Sequence, residues 1–192
     1  METATIAIFA SGAGTNAEKI IRYFKGHPSI RVGVICTNRP QAKVLELASK
    51  EGINHQVFTK SDFYEPGFVS KQLADLHVTH IVLAGFLWLI PADLVKTYSN
   101  KIINIHPALL PQYGGKGMYG MYVHQAVQAA GEKETGITIH LVNEVYDDGR
   151  VLLQQKVQLN GTETAEEIAL KVQELEHRYF APTIEKWILN NY

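Results

Sequence analysis

The stretch Thr5-Ile6-Ala7-Ile8-Phe9-Ala10-Ser11-Gly12-Ala13-Gly14-Thr15-Asn16 decides the fold. Thr5–Ala10 is a short apolar run without polar alternation, the pattern of a strand covered on both faces. Two glycines then turn the chain, and Asn16–Lys25 reads as a helix. The same strand–turn–helix order repeats outward from this unit. Strands are predicted at Arg31–Cys36, His55–Phe58, Thr79–Ala84 and Lys101–Ile105, and helices at Gln41–Glu51, Gly67–Leu76 and Pro91–Tyr98. Gly52 suits the residue just past a helix end, and Pro91 suits a first helical turn. Strands alternating with helices predict an α/β fold, a mostly parallel twisted sheet with helices on both faces.

The last third changes character. Val123–Ala130 reads as a helix. Thr135–Asn143 alternates, with Ile137, Ile139 and Leu141 on one face and Thr138, His140 and Val142 on the other. Val151–Leu159 is a second β run, so an antiparallel extension of the sheet is expected. Thr164–Ile188 reads as a long amphipathic helix, or a pair broken near Pro182, with a stripe of Ile168, Val172, Leu175 and Tyr179. No repeat, low-complexity tract or linker interrupts the chain. A single domain over residues 1–192 is expected, with halves 1–100 and 101–192.

Composition narrows the function. Of the 192 residues 46% are hydrophobic and 19% charged, which excludes a disordered chain. Lys and Arg number 18 against 19 Asp and Glu, a net charge of -1, so no global positive field recruits nucleic acid or an anionic membrane. The single cysteine, Cys36, excludes a disulfide framework and a cysteine-based metal cluster, and no other ligand cluster for a metal is visible. Met1–Thr5 lacks a basic leader pattern, and the longest apolar stretch, Ile81–Pro91, is about half a membrane span. The expectation is a soluble cytoplasmic protein acting on small molecules, a monomer or weak homodimer.

Three segments carry candidate chemistry. Gly12, Ala13, Gly14, Thr15 and Asn16 sit between a strand and a helix N-terminus, where free backbone N–H groups favour an anion, most often phosphate. Gly12-x-Gly14-x-x-Ala17 also fits a dinucleotide fingerprint, but the end of the second strand reads Thr37-Asn38-Arg39, without the carboxylate that holds a ribose. NAD is disfavoured; NADP, through Arg39, stays open. A plain tight turn is the bland alternative; the polar side chains of Ser11, Thr15 and Asn16 favour phosphate. Asn104 and His106 share one face at the carboxyl end of a buried strand, where α/β folds place their chemistry. Asn104 can donate to an oxyanion and His106 can carry a proton near neutral pH. A hydrogen-bonded core pair is the alternative, and the glycine-rich loop that follows shifts the balance. Asp147-Asp148-Gly149 is a hairpin turn signal; alternatively, its carboxylate reaches His106 and raises its pKa. Spacing does not separate these readings.

Together the segments resemble the folate-dependent formyltransferases, closest to the glycinamide ribonucleotide transformylases. The marks are Ser11-Gly12-Ala13-Gly14-Thr15-Asn16, Leu83-Ala84-Gly85-Phe86, Asn104-Ile105-His106-Pro107-Ala108-Leu109-Leu110-Pro111, Gly136-Ile137-Thr138-Ile139-His140 and Asp147-Asp148-Gly149. The resemblance covers nearly the whole chain and implies a Rossmann-like fold. It implies transfer of the formyl group of 10-formyltetrahydrofolate to the amine of glycinamide ribonucleotide in purine synthesis, without a metal. Asn104, His106 and Asp147 match the family's catalytic trio, which implies direct transfer through a tetrahedral oxyanion stabilised by Asn104 and protonated His106, with Asp147 holding His106 protonated or relaying the proton to folate N10. Gly12–Asn16 matches its phosphate clamp, and Glu176 its nucleotide contact. Leu87, Trp88, Leu89 and Ile90 match one wall of the folate site; Asn143, Glu144, Val145, Tyr146 and Asp147 match the other, with Asn104 reaching the donor. His140 and His124 are candidates to stand behind the trio. The resemblance thus assigns nucleotide and phosphate binding to the first half, and catalysis and folate binding to the second. Trp88 and Phe63 depart from relatives that carry basic residues there, and the loop Gly114–Tyr122 is longer and richer in glycine. A formyltetrahydrofolate deformylase or a formyltransferase for another amine are the rival readings. An NADP-binding protein leaves Asn104, His106 and Asp147 without a role.

Overall fold

A computed structural model describes residues 3–190. The strands are β1 (Ala4–Phe9), β2 (Ile30–Thr37), β3 (Asn54–Val57), β4 (His80–Leu83), β5 (Ile102–His106), β6 (Glu134–Leu141) and β7 (Val151–Gln158). The helices are α1 (Thr15–Phe24), α2 (Val44–Glu51), α3 (Lys60–Tyr64), α4 (Phe68–Asp75), α5 (Ala92–Thr97), α6 (Met121–Ala129) and α7 (Ala165–Ile188). The strands form one seven-stranded sheet in the order β3-β2-β1-β4-β5-β6-β7. β1 pairs in parallel with β2 and β4, β2 with β3, and β7 runs antiparallel to β6. The expected α/β architecture and its antiparallel extension are both present.

The chain divides into two compact units, Met1–Ile103 and Asn104–Tyr192. In the first, β1 lies between β2 and β4, and Ile6, Ala7, Ile8 and Phe9 are all fully buried, so both faces of the strand are covered. Gly14 turns the chain from β1 into α1 with φ +77°, and a Cβ there would stand 2.7 Å from Val44 Cγ2. Only glycine meets both conditions. Val44 N–H in turn donates to Gly12 O at 3.3 Å. That bond explains why α2 begins at Val44 and not at Gln41: residues 39–42 form a turn, with Ala42 N–H on Arg39 O.

The sequence reading misses α3. Five residues are too few to show a helical period, but its start is marked: Thr59 Oγ1 accepts from Asp62 N–H at 3.2 Å. The helix buries Phe63 against Phe9, Phe86 and Trp88, with ring centroids 5.2–6.4 Å apart.

In the second unit Gly136 lets β6 and β7 approach, since a Cβ there would overlap Gln155 O. α7 is one helix with Pro182 inside it, so the broken-pair alternative falls. Thr164 and Glu167 close a capping box at its start. Its buried face is Ile168, Val172, Phe180, Ile184 and Trp187; Leu175 and Tyr179 flank it, half-buried. No helix among the described residues is long and apolar enough to cross a membrane.

Candidate active site

The glycine loop lies in the first unit. Gly12, Ala13 and Thr15 are exposed and Asn16 is half-buried at the start of α1. Glu18 N–H takes Gly14 O as the first bond of α1, so the loop leads directly into the helix N-terminus. Ser11 is not part of that surface. It is 2% exposed, its Oγ donates to Asn38 Oδ1 at 2.6 Å and accepts from Leu87 N–H at 3.1 Å. Its expected contribution to phosphate binding is therefore corrected to a brace, which ties the loop to the Leu87–Ile90 segment. In that segment Ile90 is buried, while Leu87, Trp88 and Leu89 are half-exposed. Trp88 packs on Phe63 and Tyr64, and Tyr64 Oη donates to Leu89 O at 3.2 Å.

The Asn104, His106 and Asp147 side chains meet in the second unit. β5 carries Asn104 and His106 on one face; the β6–β7 connection delivers Asp147 with φ +54°, a left-handed conformation that aspartate tolerates. His106 Nδ1 lies 3.5 Å from Asp147 Oδ2, and Asn104 Nδ2 is 3.5 Å from Asp147 Oδ1. Both readings of Asp147 hold: it sits in the turn joining the antiparallel β6 and β7, and its carboxylate faces both partners. Behind them, His140 Nδ1–H donates to Leu141 O at 2.9 Å, so its Nε2 accepts from Asn104 Nδ2 at 3.1 Å. His140 Nε2 also lies 3.6 Å from Asp147 Oδ1. His140 therefore aims the Asn104 amide. His124 is buried on α6.

Backbone groups that the sequence reading missed complete the geometry. His106 Nε2–H donates to Tyr113 O at 2.7 Å, and Gly115 N–H donates to Asp147 Oδ2 at 2.9 Å. Thr138, fully buried, donates from Oγ1 to Ala108 O at 2.7 Å and accepts from Leu110 N–H at 2.9 Å. Gln154 Nε2 donates to Leu110 O at 2.8 Å. These bonds fix the chain as it leaves His106. Glycine spacing after Pro111 signals a loop, but nothing in it signals which carbonyl meets the imidazole.

The charges differ from expectation in one respect. Burial pulls the His106 imidazole below its ordinary pKa; the Asp147 charge and the Tyr113 carbonyl pull upward without compensating, and His140 adds to the lowering. Asp147 does raise the imidazole's pKa, as expected, but it does not hold His106 protonated: only 3% of His106 is exposed, and desolvation outweighs one neighbouring carboxylate. Burial pushes Asp147 up, but the neighbouring His140 imidazole, the His106 charge and the Gly115 N–H together bring it below its ordinary value. The resting pair at neutral pH is thus a neutral imidazole, hydrogen on Nε2, facing an ionised carboxylate. Among the described residues no group of three or more His, Cys, Asp or Glu is placed to hold a metal ion.

The profile of the formyl transferase family matches residues 4–184. The chain belongs to that family. Phosphoribosylglycinamide formyltransferase of Bacillus subtilis is 35% identical over 192 residues, covering 96% of this chain and 95% of that one. The chloroplastic phosphoribosylglycinamide formyltransferase of Arabidopsis thaliana is 40% identical over 185 residues, and the chain, matched over 93% of its own length, spans 63% of that protein. Among solved structures, phosphoribosylglycinamide formyltransferase from Bacillus halodurans superposes with a TM-score of 0.85 at 34% identity, over 95% of this chain and 94% of that one. The Rossmann-like formyl transferase fold is therefore shared. Of the remaining expected residues, Asn143 is half-buried, with Oδ1 accepting from Val145 N–H at 2.9 Å, and Glu144, Val145 and Tyr146 are exposed. Glu176 is half-buried on α7.

Proposed function

We propose that this formyl transferase moves the formyl group of 10-formyltetrahydrofolate to the amine of phosphoribosylglycinamide, a step of purine synthesis. The observation that carries the reading is the convergence of Asn104, His106 and Asp147 within 3.5 Å contacts, in a family whose relatives bear that name. The donor set suits the chemistry: an amide N–H for a developing oxyanion, and an imidazole–carboxylate pair for a proton.

The amine attacks the formyl carbon and forms the new C–N bond. The carbonyl oxygen becomes an oxyanion, which takes the Asn104 Nδ2–H now spent on the long contact to Asp147. One such donor is worth about 3–4 kcal/mol in the transition state. Because Nε2 keeps its hydrogen on Tyr113 O, the basic nitrogen of His106 is Nδ1, beside Asp147. It takes the proton that the attacking nitrogen sheds, and Asp147 stabilises the imidazolium. The proton then passes to folate N10 as its bond to carbon breaks, releasing tetrahydrofolate.

The exposed backbone of Gly12–Asn16 is assigned to the ribose phosphate, with Glu176 a further nucleotide contact. Leu87–Ile90 and Asn143–Asp147 are assigned to the folate. His124 stands behind His106. The reaction requires no metal, and we place the protein in the cytoplasm as a monomer or weak homodimer. The deciding experiment follows tetrahydrofolate formation from 10-formyltetrahydrofolate with and without phosphoribosylglycinamide. Turnover only with the nucleotide is expected. Formate release regardless of it identifies a deformylase, and no turnover in either mixture overturns the assignment.

A further inference from the structure

The imidazole of His106 is held at its outer nitrogen by one backbone carbonyl, and that carbonyl belongs to a residue in an unfavourable conformation. Tyr113 has φ +56°, in the left-handed region that β-carbon sterics disfavour for a residue such as tyrosine. Gly114 follows, where a Cβ would stand 2.5 Å from Leu110 Cδ2 and 3.3 Å from Asp147 Cβ. Gly115 then donates to Asp147 Oδ2 at 2.9 Å. Tyr113 and Gly115 thus hold the two members of the proton-carrying pair, His106 and Asp147, through main-chain atoms, with Gly114 between them. Outside the site, Tyr113 Oη donates to Glu132 Oε1 at 2.6 Å, a short charge-assisted bond. Glu132 lies between α6 and β6, so this bond ties segment 113–115 to the frame of the unit.

We propose that the Tyr113–Glu132 pair is a positioning latch, which holds the Tyr113 carbonyl on His106 Nε2 and the Gly115 N–H on Asp147 and so fixes the reactive tautomer. The polar and titratable groups facing His106 are Asp147, His140, His124 and the Tyr113 carbonyl; Asp147 faces His106, His140, Asn104 and the Gly115 N–H. Only the Tyr113 and Gly115 groups move with the latch. The Glu132 bond, with burial and the Glu132 charge behind it, pushes the Tyr113 phenol up to about 12, so the latch stays closed across the working pH range.

Tyr113→Phe removes one oxygen and leaves the ring. The role of His106 in proton transfer rests on the function proposed above, but the first readout does not. In protein carrying 15N-labelled histidine, with the His106 signals assigned by their absence from His106→Gln, wild type shows one neutral tautomer with hydrogen on Nε2. Tyr113→Phe is expected to show averaging between the two tautomers and a His106 titration moved to lower pH, because a group that favours imidazolium is lost. kcat falls about threefold to tenfold, the worth of one such hydrogen bond, with little change in KM. Glu132→Ala reproduces these changes, and Glu132→Gln, which keeps an oxygen acceptor, reverses them. An unchanged His106 tautomer and titration in folded Tyr113→Phe or Glu132→Ala overturns the latch, whatever happens to turnover.

Discussion

The glycine loop and the Asn104–His106–Asp147 cluster are built on opposite plans. The loop is a run of five consecutive residues between a strand and a helix start, three of them exposed. The cluster is assembled from side chains 43 positions apart, braced by His140 and two backbone groups. A binding surface made of backbone needs only the right turn and a helix start. A proton-carrying pair needs desolvation, and desolvation then requires every polar atom to be held. The largest expected effects therefore lie in the cluster. Asn104→Ala should lower kcat by about 10²–10³, the cost of one oxyanion donor. His106→Ala should match it, with the fold retained by circular dichroism. Wild-type-like turnover in either variant removes the cluster from the chemistry.

Asp147→Asn sharpens the same contrast through pH. The carboxylate is one of two influences that raise the His106 pKa against burial. Without it the imidazole should protonate only at lower pH, so the acidic limb of the kcat profile moves downward while kcat falls. A lower kcat with an unmoved limb places Asp147 outside the proton path.

The two regions were also unequally legible. Strand, glycine turn and helix follow one another in residues 5–25, so local pattern suffices for the first region, down to Gly14. Ser11, a polar residue in a glycine loop, has the look of a ligand group, because its partners Asn38 and Leu87 lie 27 and 76 residues away. In the second region, Asn104 and His106 are marked by their strand end and Asp147 by resemblance. Composition and spacing could not decide whether Asp147 was a turn residue or a partner. The Tyr113 carbonyl and Gly115 N–H leave no trace in side-chain identity at all. The direction of the His106 shift depends on burial, a property of the whole unit, and so sequence reasoning weighted the nearby charge too heavily.

Gly12→Val tests the plan of the loop. No atom lies within 4 Å of a Cβ at Gly12 and its φ is not left-handed, so the variant should keep stability within about 0.5 kcal/mol. It should weaken phosphoribosylglycinamide binding by about tenfold or more by obstructing charge-assisted hydrogen bonds worth about 1.5–3 kcal/mol each, with folate affinity unchanged. Gly14→Val cannot serve, because its side chain collides with Val44 and would disturb α2 as well. Titration of each ligand separately decides it: an equal loss for both, or none for the nucleotide, removes the phosphate from this loop.

Acid stability separates the regions more gently. Burial, aided by the Lys101 charge, lowers His80 in the first unit to about 4. Burial also lowers His106 and His124 in the second, with His106 adding to the effect on His124. A depressed histidine pKa means that the unfolded chain binds protons first. Stability is therefore full above about pH 6.5 and declines as pH falls toward the folded values. Asp147 and Glu163 act in a lower window. Glu163, held at about 2 by Lys171 and the backbone N–H groups of Asn160 and Gly161, contributes fully above ordinary carboxylate values of about 4 and loses that contribution on further acidification. The Tm should fall between pH 6.5 and 5 and again below 4, and His80→Gln should reduce only the first decline. A flat Tm down to pH 5 would falsify the histidine account.

The smallest effect concerns a brace of the second unit far along the chain from its reactive side chains. The Glu167 N–H donates to Thr164 Oγ1 at 3.2 Å, and Thr164 N–H donates to Glu167 Oε2 at 2.8 Å. Both bonds are exposed to water, so each is worth little, but they close the first turn of a 24-residue helix. Thr164→Ala should cost about 1 kcal/mol and lower the Tm by about 2–4 °C. The cost should be independent of either substrate, because α7 is held chiefly by Ile168, Val172, Phe180, Ile184 and Trp187, whose burial the variant leaves intact. A change in kcat alongside the Tm would mean that the start of α7 is coupled to the Asn104–His106–Asp147 cluster, and would blur the contrast between scaffold and site within that unit.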